Sequence, residues 1–181
     1  MVRPTSDDLR QATSRTIEDV VAPDLDTLFV GINPGLWSGA TGHHFARPGN
    51  RFWRAIHDAG LTPELLTPER QHDLLRYGLG VTNLVMRTTA TAKELTAAEL
   101  RVGAEALVDK LARLRPRKVA FLGVSTYRIA FNRPKATIGL QHERIASSEV
   151  WVLPNPSGLN AHYQVPDLAQ AYSQLRANRR R

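Results

Sequence analysis

The chain contains no cysteine and no long apolar segment. Without cysteine it can form no disulfide bond, thiolate zinc site, iron–sulfur cluster or cysteine nucleophile. No apolar run approaches the roughly 20 residues that a membrane helix needs, and the longest, Thr27–Ile32 and Val119–Val124, have the length of strands. The N-terminus carries Asp7, Asp8 and Glu18 and lacks an apolar core of signal-peptide length. These absences predict a cytoplasmic protein that does not enter a membrane.

Several motifs of common enzymes are also missing. The chain has no G-x-x-x-x-G-K-[ST] phosphate loop, no G-x-G-x-x-G dinucleotide fingerprint and no G-x-S-x-G nucleophile turn. The histidines at His43, His44, His142 and His162 lack the spacing of metal ligands. We therefore predict that the protein uses neither a metal ion nor an organic cofactor.

Basic residues are plentiful and unevenly distributed. The formal net charge is +7 and the sequence pI is about 10.4. Residues 1–110 hold 12 basic and 14 acidic side chains, whereas residues 111–181 hold 12 basic and 3 acidic ones. A basic segment beside a neutral one is typical of a protein that binds a polyanion. An arginine-rich composition with a frayed tail at 178–181 gives the same distribution, so charge alone leaves both readings open.

Short apolar runs alternate with helical segments along the chain. Strands are predicted at Asp26–Ile32, Gly80–Val85, Lys118–Gly123 and Glu149–Leu153. Capping and stop signals predict helices at Ser6 to about Val20, Arg51–Asp58, Thr67–Tyr77, Thr96–Leu114, a short segment from Ser125, and Val165–Ala177. The alternation predicts an α/β fold, a three-layer sandwich with a short parallel four-stranded sheet and helices on both faces. We predict a single domain over 1–181, with an N-terminal helical extension at 1–23 and a basic C-terminal tail at 178–181.

The loop after the first predicted strand is long, rich in glycine and without periodicity, which is typical of a functional loop. Asn33 comes directly after the strand, where a short polar side chain can face the ligand crevice of an open α/β sheet. The pair Asn33-Pro34 taken alone is more typical of a simple turn than of a functional site. Phe45 is a large apolar side chain within this polar loop, so it either fills the core or forms a stacking wall for a planar ligand.

Two further loops lie at the same predicted edge of the sheet. After the fourth strand, Leu159 follows a glycine in a loop stiffened by two prolines. This residue either folds back into the core or stands exposed as a wedge that enters a base stack. Between the second strand and its helix, Lys93 and Glu94 form either a solvated corner or part of the mouth of the crevice.

Four motifs, in this order, carry a specific resemblance: GINPG at 31–35, GHHFARPGNRFW at 42–53, GVTNLV at 80–85 and NPSGLN at 155–160. Together they resemble the mismatch-specific uracil-DNA glycosylases, bacterial relatives of thymine-DNA glycosylase within the uracil-DNA glycosylase superfamily. The resemblance covers residues 24–177. It implies a cytoplasmic, nucleoid-associated bacterial enzyme that acts as a monomer on double-stranded DNA containing a mismatched or damaged base.

The resemblance also implies roles for residues around the base. Asn33 would position the attacking water, and Phe45 would stack on the extruded base. Ser38 would lie near C5 of the base, and Asn83 would adjust the substrate range. The backbone amides from Ile32 to Gly35 would hydrogen-bond the pyrimidine.

A second group of implied roles falls on the NPSGLN loop. Asn155 would help to hold the flipped nucleotide as a second catalytic residue. Gly158 and Leu159 would fill the hole left in the duplex, and Asn160 would contact DNA beside them. The mismatch-specific branch commonly has Ser-Arg after its wedge leucine, whereas this chain has Asn160 and Ala161.

The resemblance thus implies a monofunctional DNA glycosylase that hydrolyses the N-glycosidic bond of uracil and related damaged pyrimidines in mismatched duplex DNA. It would work by base flipping, in base-excision repair. Two alternatives remain at this stage. One is an α/β enzyme that processes nucleotides or phosphate esters with the glycine loop as an anion cradle, and the other is a non-enzymatic DNA-binding module.

Overall fold

In a computed structural model that describes residues 3–178, a five-stranded sheet lies between two layers of helices. The strands are β1 (Thr27–Gly31), β2 (Leu79–Asn83), β3 (Lys118–Leu122), β4 (Gly139–Ile145) and β5 (Ser148–Leu153), in the spatial order β2-β1-β3-β5-β4. The helices are α1 (Ser6–Gln11), α2 (Leu36–Thr41), α3 (Phe52–Asp58), α4 (Ala97–Leu114), α5 (Val124–Ala130) and α6 (Val165–Ser173). Short 3₁₀ helices cover Pro68–Tyr77, Ala92–Glu94 and Gln174–Asn178.

Alternate residues along the parallel strands pack into two separate hydrophobic cores, because successive side chains of a strand point to opposite faces of the sheet. Phe29 and Trp151 pack on one face with α3 and α6. Leu28 and Val150 pack on the other face with α4 and α5. This arrangement confirms the predicted three-layer α/β sandwich. It also explains the continuous apolar strands, since both faces of the sheet are covered.

The four predicted parallel strands are present, and the sheet has a fifth strand that was not predicted. β1, β2, β3 and β5 are parallel, but β4 runs antiparallel to β5 at the edge of the sheet, joined to it through Ala146 and Ser147. Partly buried and exposed residues alternate along β4. An edge strand with one solvated face has no continuous apolar run, so the pattern that found the other strands could not find this one.

The N-terminal segment also differs from its prediction. Helix α1 ends at Gln11, not near Val20, and Ser14 follows with a left-handed φ of +65°. The chain then runs beside β2. The Ser14 amide donates to the Thr88 carbonyl at 3.0 Å, and Val20 forms an antiparallel bridge with Val81. β-branched residues favour an extended backbone in this stretch, and hydrogen bonds to a sheet edge override the helical signal.

Two other predicted segments are only partly as expected. The loop after β1 is not irregular throughout, because Leu36–Thr41 forms α2, which ends at Gly42 with a φ of +76°. The last helix is α-helical only to Ser173 and continues as the 3₁₀ turn Gln174–Asn178. Of the predicted tail, residues 179–181 lie outside the described residues.

The carboxyl ends of the parallel strands share one edge of the sheet. Several basic residues of the C-terminal segment lie at the opposite edge, just before and at the start of β3. There Arg115 pairs with Asp24 at 3.3 Å, and Arg117 pairs with Asp26 at 3.2 Å. The Lys118 ammonium is buried and donates to the Leu175 carbonyl at 2.9 Å. These three basic side chains therefore lie away from the carboxyl edge.

Within residues 3–178, no helix is both long enough and apolar enough to cross a membrane.

Candidate active site

A cavity of about 430 Å³ opens at the carboxyl edge of the sheet. The loops after β1, β2 and β5 line it together. All of the predicted site residues except Gly158 and Asn160 contribute to its wall: Ile32, Asn33, Gly35, Ser38, Phe45, Asn83, Asn155 and Leu159. Lys93 lines it as well, so the corner between β2 and α4 reaches the mouth of the crevice.

The side-chain amide of Asn33 has a fixed orientation. Its Nδ2 donates to the Arg87 carbonyl at 3.0 Å and to Thr89 Oγ1 at 2.7 Å. The Thr89 hydroxyl donates its hydrogen to the Thr91 carbonyl at 2.8 Å, so towards Asn33 it can act only as an acceptor. Both partners therefore require the NH₂ end of the amide. This leaves Asn33 Oδ1 as the acceptor that the side chain can offer to the cavity.

Phe45 combines the two alternatives that its sequence position left open. Its ring stacks on the fully buried Phe52, with centroids 4.0 Å apart and planes 25° apart, and the same ring lines the cavity. Its backbone is left-handed, with a φ of +53°. A bulky residue in this region is strained, and such strain is concentrated at functional sites. Packing against Phe52 holds the ring as a rigid flat wall.

Gly31 allows Phe45 and Asn83 to approach the end of β1. A Cβ atom at this position would lie 2.6 Å from Asn83 Oδ1 and 3.5 Å from Phe45 Cζ. The first distance is too short for any real contact, and Asn83 is buried and cannot move aside freely. The glycine therefore shapes the floor of the cavity.

Asn83 is oriented by His44, a residue that the sequence analysis did not single out for the site. His44 is buried and lines the cavity. Its Nε2 lies 2.9 Å from the Glu18 carbonyl, which can only accept, so Nε2 carries the proton in the neutral ring. Its Nδ1 then accepts from Asn83 Nδ2 at 3.4 Å. The Oδ1 of Asn83 is thereby turned towards Gly31 and the cavity.

The N-terminal segment is part of this wall. Ile17 lines the cavity, and the next residue supplies the carbonyl that holds His44. The sequence predicts residues 1–23 as an extension outside the site. Nothing in their local pattern indicates otherwise, because their place depends on pairing with β2 and the segment that follows it.

Burial lowers the pKa of His44 from its ordinary value of 6.5, and the Glu18 hydrogen bond and the Asp19 charge oppose this shift only in part. The unfolded chain therefore takes up a proton near pH 6.5 that the folded chain rejects, so stability must fall as the pH drops through this region. We expect the denaturant midpoint to be lower at about pH 5.5 than at about pH 7.5. His44→Asn should flatten this dependence. An equal slope in wild type and His44→Asn would contradict the assignment.

Ser38 lies on α2 and is buried against the start of the next loop. The Ser38 hydroxyl accepts a hydrogen bond from the Ala46 amide at 3.4 Å, and Ser38 lines the cavity. The neighbouring Gly39 fits against Thr88, whose Oγ1 would be 2.6 Å from a Cβ there. Close packing of α2 on the segment after β2 thus places the Ser38 hydroxyl at the cavity wall.

The loop after β5 is folded on itself around Asn155. Asn155 Oδ1 accepts from the Ser157 amide at 2.9 Å, and the Asn155 carbonyl accepts from Asn160 Nδ2 at 3.0 Å. This leaves Asn155 Nδ2 as a donor for a ligand. Asn160 thus acts within the loop and does not line the cavity.

Leu159 stands at the tip of this loop with 74% of its surface exposed, so the core alternative was wrong. The preceding Gly158 lies against Gly49 of the loop after β1, and a Cβ at residue 158 would be 2.7 Å from the Gly49 carbonyl oxygen. Gly158 and Gly49 therefore contact each other through their backbones. Leu159 lines the cavity at its rim.

The charges around the cavity are of one sign. Arg47 and Lys93 line it, whereas no Asp or Glu among the described residues does so. Residues 3–178 also contain no group of three or more His, Asp or Glu side chains that could hold a metal ion. The cavity is therefore lined by amides, hydroxyls and an aromatic surface, together with the cationic side chains of Arg47 and Lys93.

The fold and this cavity define an α/β protein with an open cavity at the carboxyl edge of its sheet, walled by an aromatic ring and uncharged amides. The model of the uracil DNA glycosylase superfamily matches residues 18–176, and the chain belongs to this superfamily. Membership places it among the hydrolytic DNA glycosylases that act on uracil.

A solved structure supports the same fold. The chain is similar to a candidate uracil DNA glycosylase from Methanosarcina acetivorans, determined by NMR in solution, with 19% sequence identity and a TM-score of 0.60. The match covers 90% of this chain and 98% of the other.

Proposed function

We propose that the protein hydrolyses the N-glycosidic bond of uracil, and of related damaged pyrimidines, in mismatched duplex DNA during base-excision repair. The observation that carries this proposal is the orientation of Asn33, whose Oδ1 is left for the cavity beside the Phe45 ring. An acceptor next to a flat apolar wall suits a water molecule poised beside a stacked base.

The leaving base needs stabilisation more than the water needs activation. Cleavage of an N-glycosidic bond gives the sugar oxocarbenium character and places negative charge on the departing uracil. The amides of Ile32 and Gly35 are the donors we assign to that charge, and preorganised backbone donors of this kind are typically worth about 3–4 kcal/mol each. An asparagine orients water but is a weak base, so we expect slow turnover.

Asn83 supports recognition of uracil over cytosine. Because His44 holds Nδ2, the side chain offers Oδ1, an acceptor, to the base. Uracil carries a hydrogen on N3, whereas cytosine carries a lone pair there. The same oxygen therefore attracts one base and repels the other, which leaves a buried group unpaired when cytosine enters.

Base flipping explains the preference for mismatches. The target must leave the stack before it can enter the cavity, which costs a few kcal/mol and least for a mismatched base. Leu159 at the rim is exposed and apolar, as a side chain that fills the vacated space must be. Asn155 and the Gly158 backbone lie beside it in the same loop.

Labelled duplexes containing a single G·U, A·U or G·C pair test the proposal. With chelator present and alkali added after the reaction, we expect strand cleavage at uracil, faster for G·U than for A·U, and none for G·C. A protein that only binds DNA would shift the duplex without cleavage. Equal rates for G·U and A·U would contradict mismatch preference while leaving uracil excision in place.

The salt dependence of binding locates the phosphate contacts. Arg47 and Lys93 line the cavity, so Arg47→Ala and Lys93→Ala should each lower the log–log salt slope for undamaged duplex by about 0.9. Arg113→Ala, at the end of α4 near the opposite edge, is the matched control and should keep the wild-type slope. Unchanged slopes in the first two variants would contradict this placement.

A further inference from the structure

We infer that Arg51 is a positioning residue that sets the height and direction of the Leu159 wedge; this inference rests on the proposed function. Arg51 immediately precedes α3, and its side chain reaches across to the loop after β5. The sequence analysis did not single it out, because its partners lie more than a hundred residues away along the chain.

Arg51 forms several hydrogen bonds with the loop after β5, which carries Leu159. Its Nη1 donates to the Tyr163 carbonyl at 2.5 Å, and its Nη2 donates to the carbonyls of Ser157 and Asn160, the latter at 2.8 Å. Its backbone amide donates to the Pro156 carbonyl at 3.0 Å. These carbonyls flank Leu159 on both sides, so one guanidinium holds the two ends of the loop tip together.

The loop has little else that fixes its tip relative to the rest of the protein. At its start the Pro154 carbonyl accepts from the Tyr172 hydroxyl at 2.9 Å. The other hydrogen bonds around the tip are internal, such as that from the Asn160 amide to the Ser157 carbonyl at 2.9 Å. Gly158 touches the backbone of Gly49, but Leu159 itself is exposed. By contrast, Arg51 is anchored, because the next residue, Phe52, is fully buried in the core.

The chemistry of the contact is specific to arginine. A guanidinium presents five donors in a planar fork, whereas an ammonium offers three donors at a single point. Its partners here are neutral carbonyls, so the cation keeps its charge near the DNA-facing rim. The carbonyls turn inward to meet it, which leaves the Leu159 side chain pointing out of the loop.

The test compares Arg51→Lys with Arg54→Lys, a neighbouring arginine on α3 whose pairing is with Asp58. Single-turnover excision is measured on a G·U duplex and on single-stranded DNA containing uracil. A displaced wedge should slow Arg51→Lys about tenfold on the duplex. Excision from the single strand needs no wedge and should stay near wild type, as should both substrates with Arg54→Lys.

Combination with Leu159→Ala decides whether Arg51 acts through the wedge. If it does, Arg51→Lys should cause no further loss on the duplex once Leu159 has been truncated. Equal loss on both substrates, or losses that multiply in the double variant, would overturn the inference. Arg51→Gln, which keeps fewer donors without the charge, is measured in the same way should Arg51→Lys unfold. If wild-type protein excises uracil from neither substrate, the proposed function fails instead.

Discussion

Asn33→Ala is expected to lose at least about a hundredfold in single-turnover excision of uracil, equivalent to about 2.7 kcal/mol of transition-state stabilisation. The alanine removes the acceptor that we assign to the attacking water, while the cavity, the aromatic wall and the cations remain. Binding to duplex DNA should therefore stay near wild type. Excision by rapid quench and binding by fluorescence anisotropy give the two quantities on one preparation.

Thr89→Val is the companion variant for this prediction. It keeps Asn33 but removes one of the two partners that fix its amide, so the side chain can rotate. We expect a smaller loss than for Asn33→Ala. Unchanged excision by Asn33→Ala would contradict the water-positioning role, and an equal loss of DNA binding would point to a structural role instead.

Leu159→Ala is expected to slow excision from a G·U duplex by about tenfold or more, since unstacking costs a few kcal/mol that the wedge helps to offset. The rate should fall less for a weakly paired base, and uracil in single-stranded DNA should be excised at the wild-type rate. Because 74% of Leu159 is exposed, its removal loses little buried surface and the thermal midpoint should hold.

Leu140→Ala provides the matched control, since this leucine is 55% exposed on β4 at the edge of the sheet. It should match wild type on every substrate. A large fall in the midpoint of Leu159→Ala, with equal loss on all substrates, would contradict the wedge. A buried leucine cut to alanine would cost about 2–5 kcal/mol, so the two cases are well separated.

The sequence predicts most of the fold because its strands are buried on both faces. β1 and β3 are continuous apolar runs that only a covered parallel sheet requires. β4 escaped prediction because a half-solvated edge strand has no such run. The stretch after Gln11 escaped because its extended form depends on hydrogen bonds to Thr88 and Val81, which no local pattern records.

The residues of the candidate site also fall into two groups: those that the local sequence indicates and those that only their contacts identify. Asn33 and Phe45 could be found because each is conspicuous in its loop: a polar residue at a strand end, and an aromatic residue among polar neighbours. His44 and Arg51 could not, because their importance lies in what they contact. His44 is identified by Glu18 and Asn83, and Arg51 by three carbonyls of a distant loop.

The central claim is that the protein breaks the bond between base and sugar and leaves the DNA backbone intact. The most direct test quantifies free uracil by mass spectrometry, together with abasic sites and strand breaks, after reaction with a G·U duplex in chelator and without alkali. We expect one free uracil for each abasic site, no strand break before alkali, and both products formed at least about a hundredfold more slowly with Asn33→Ala. Release of uracil still attached to sugar, or strand breakage without a matching amount of free uracil, would contradict it.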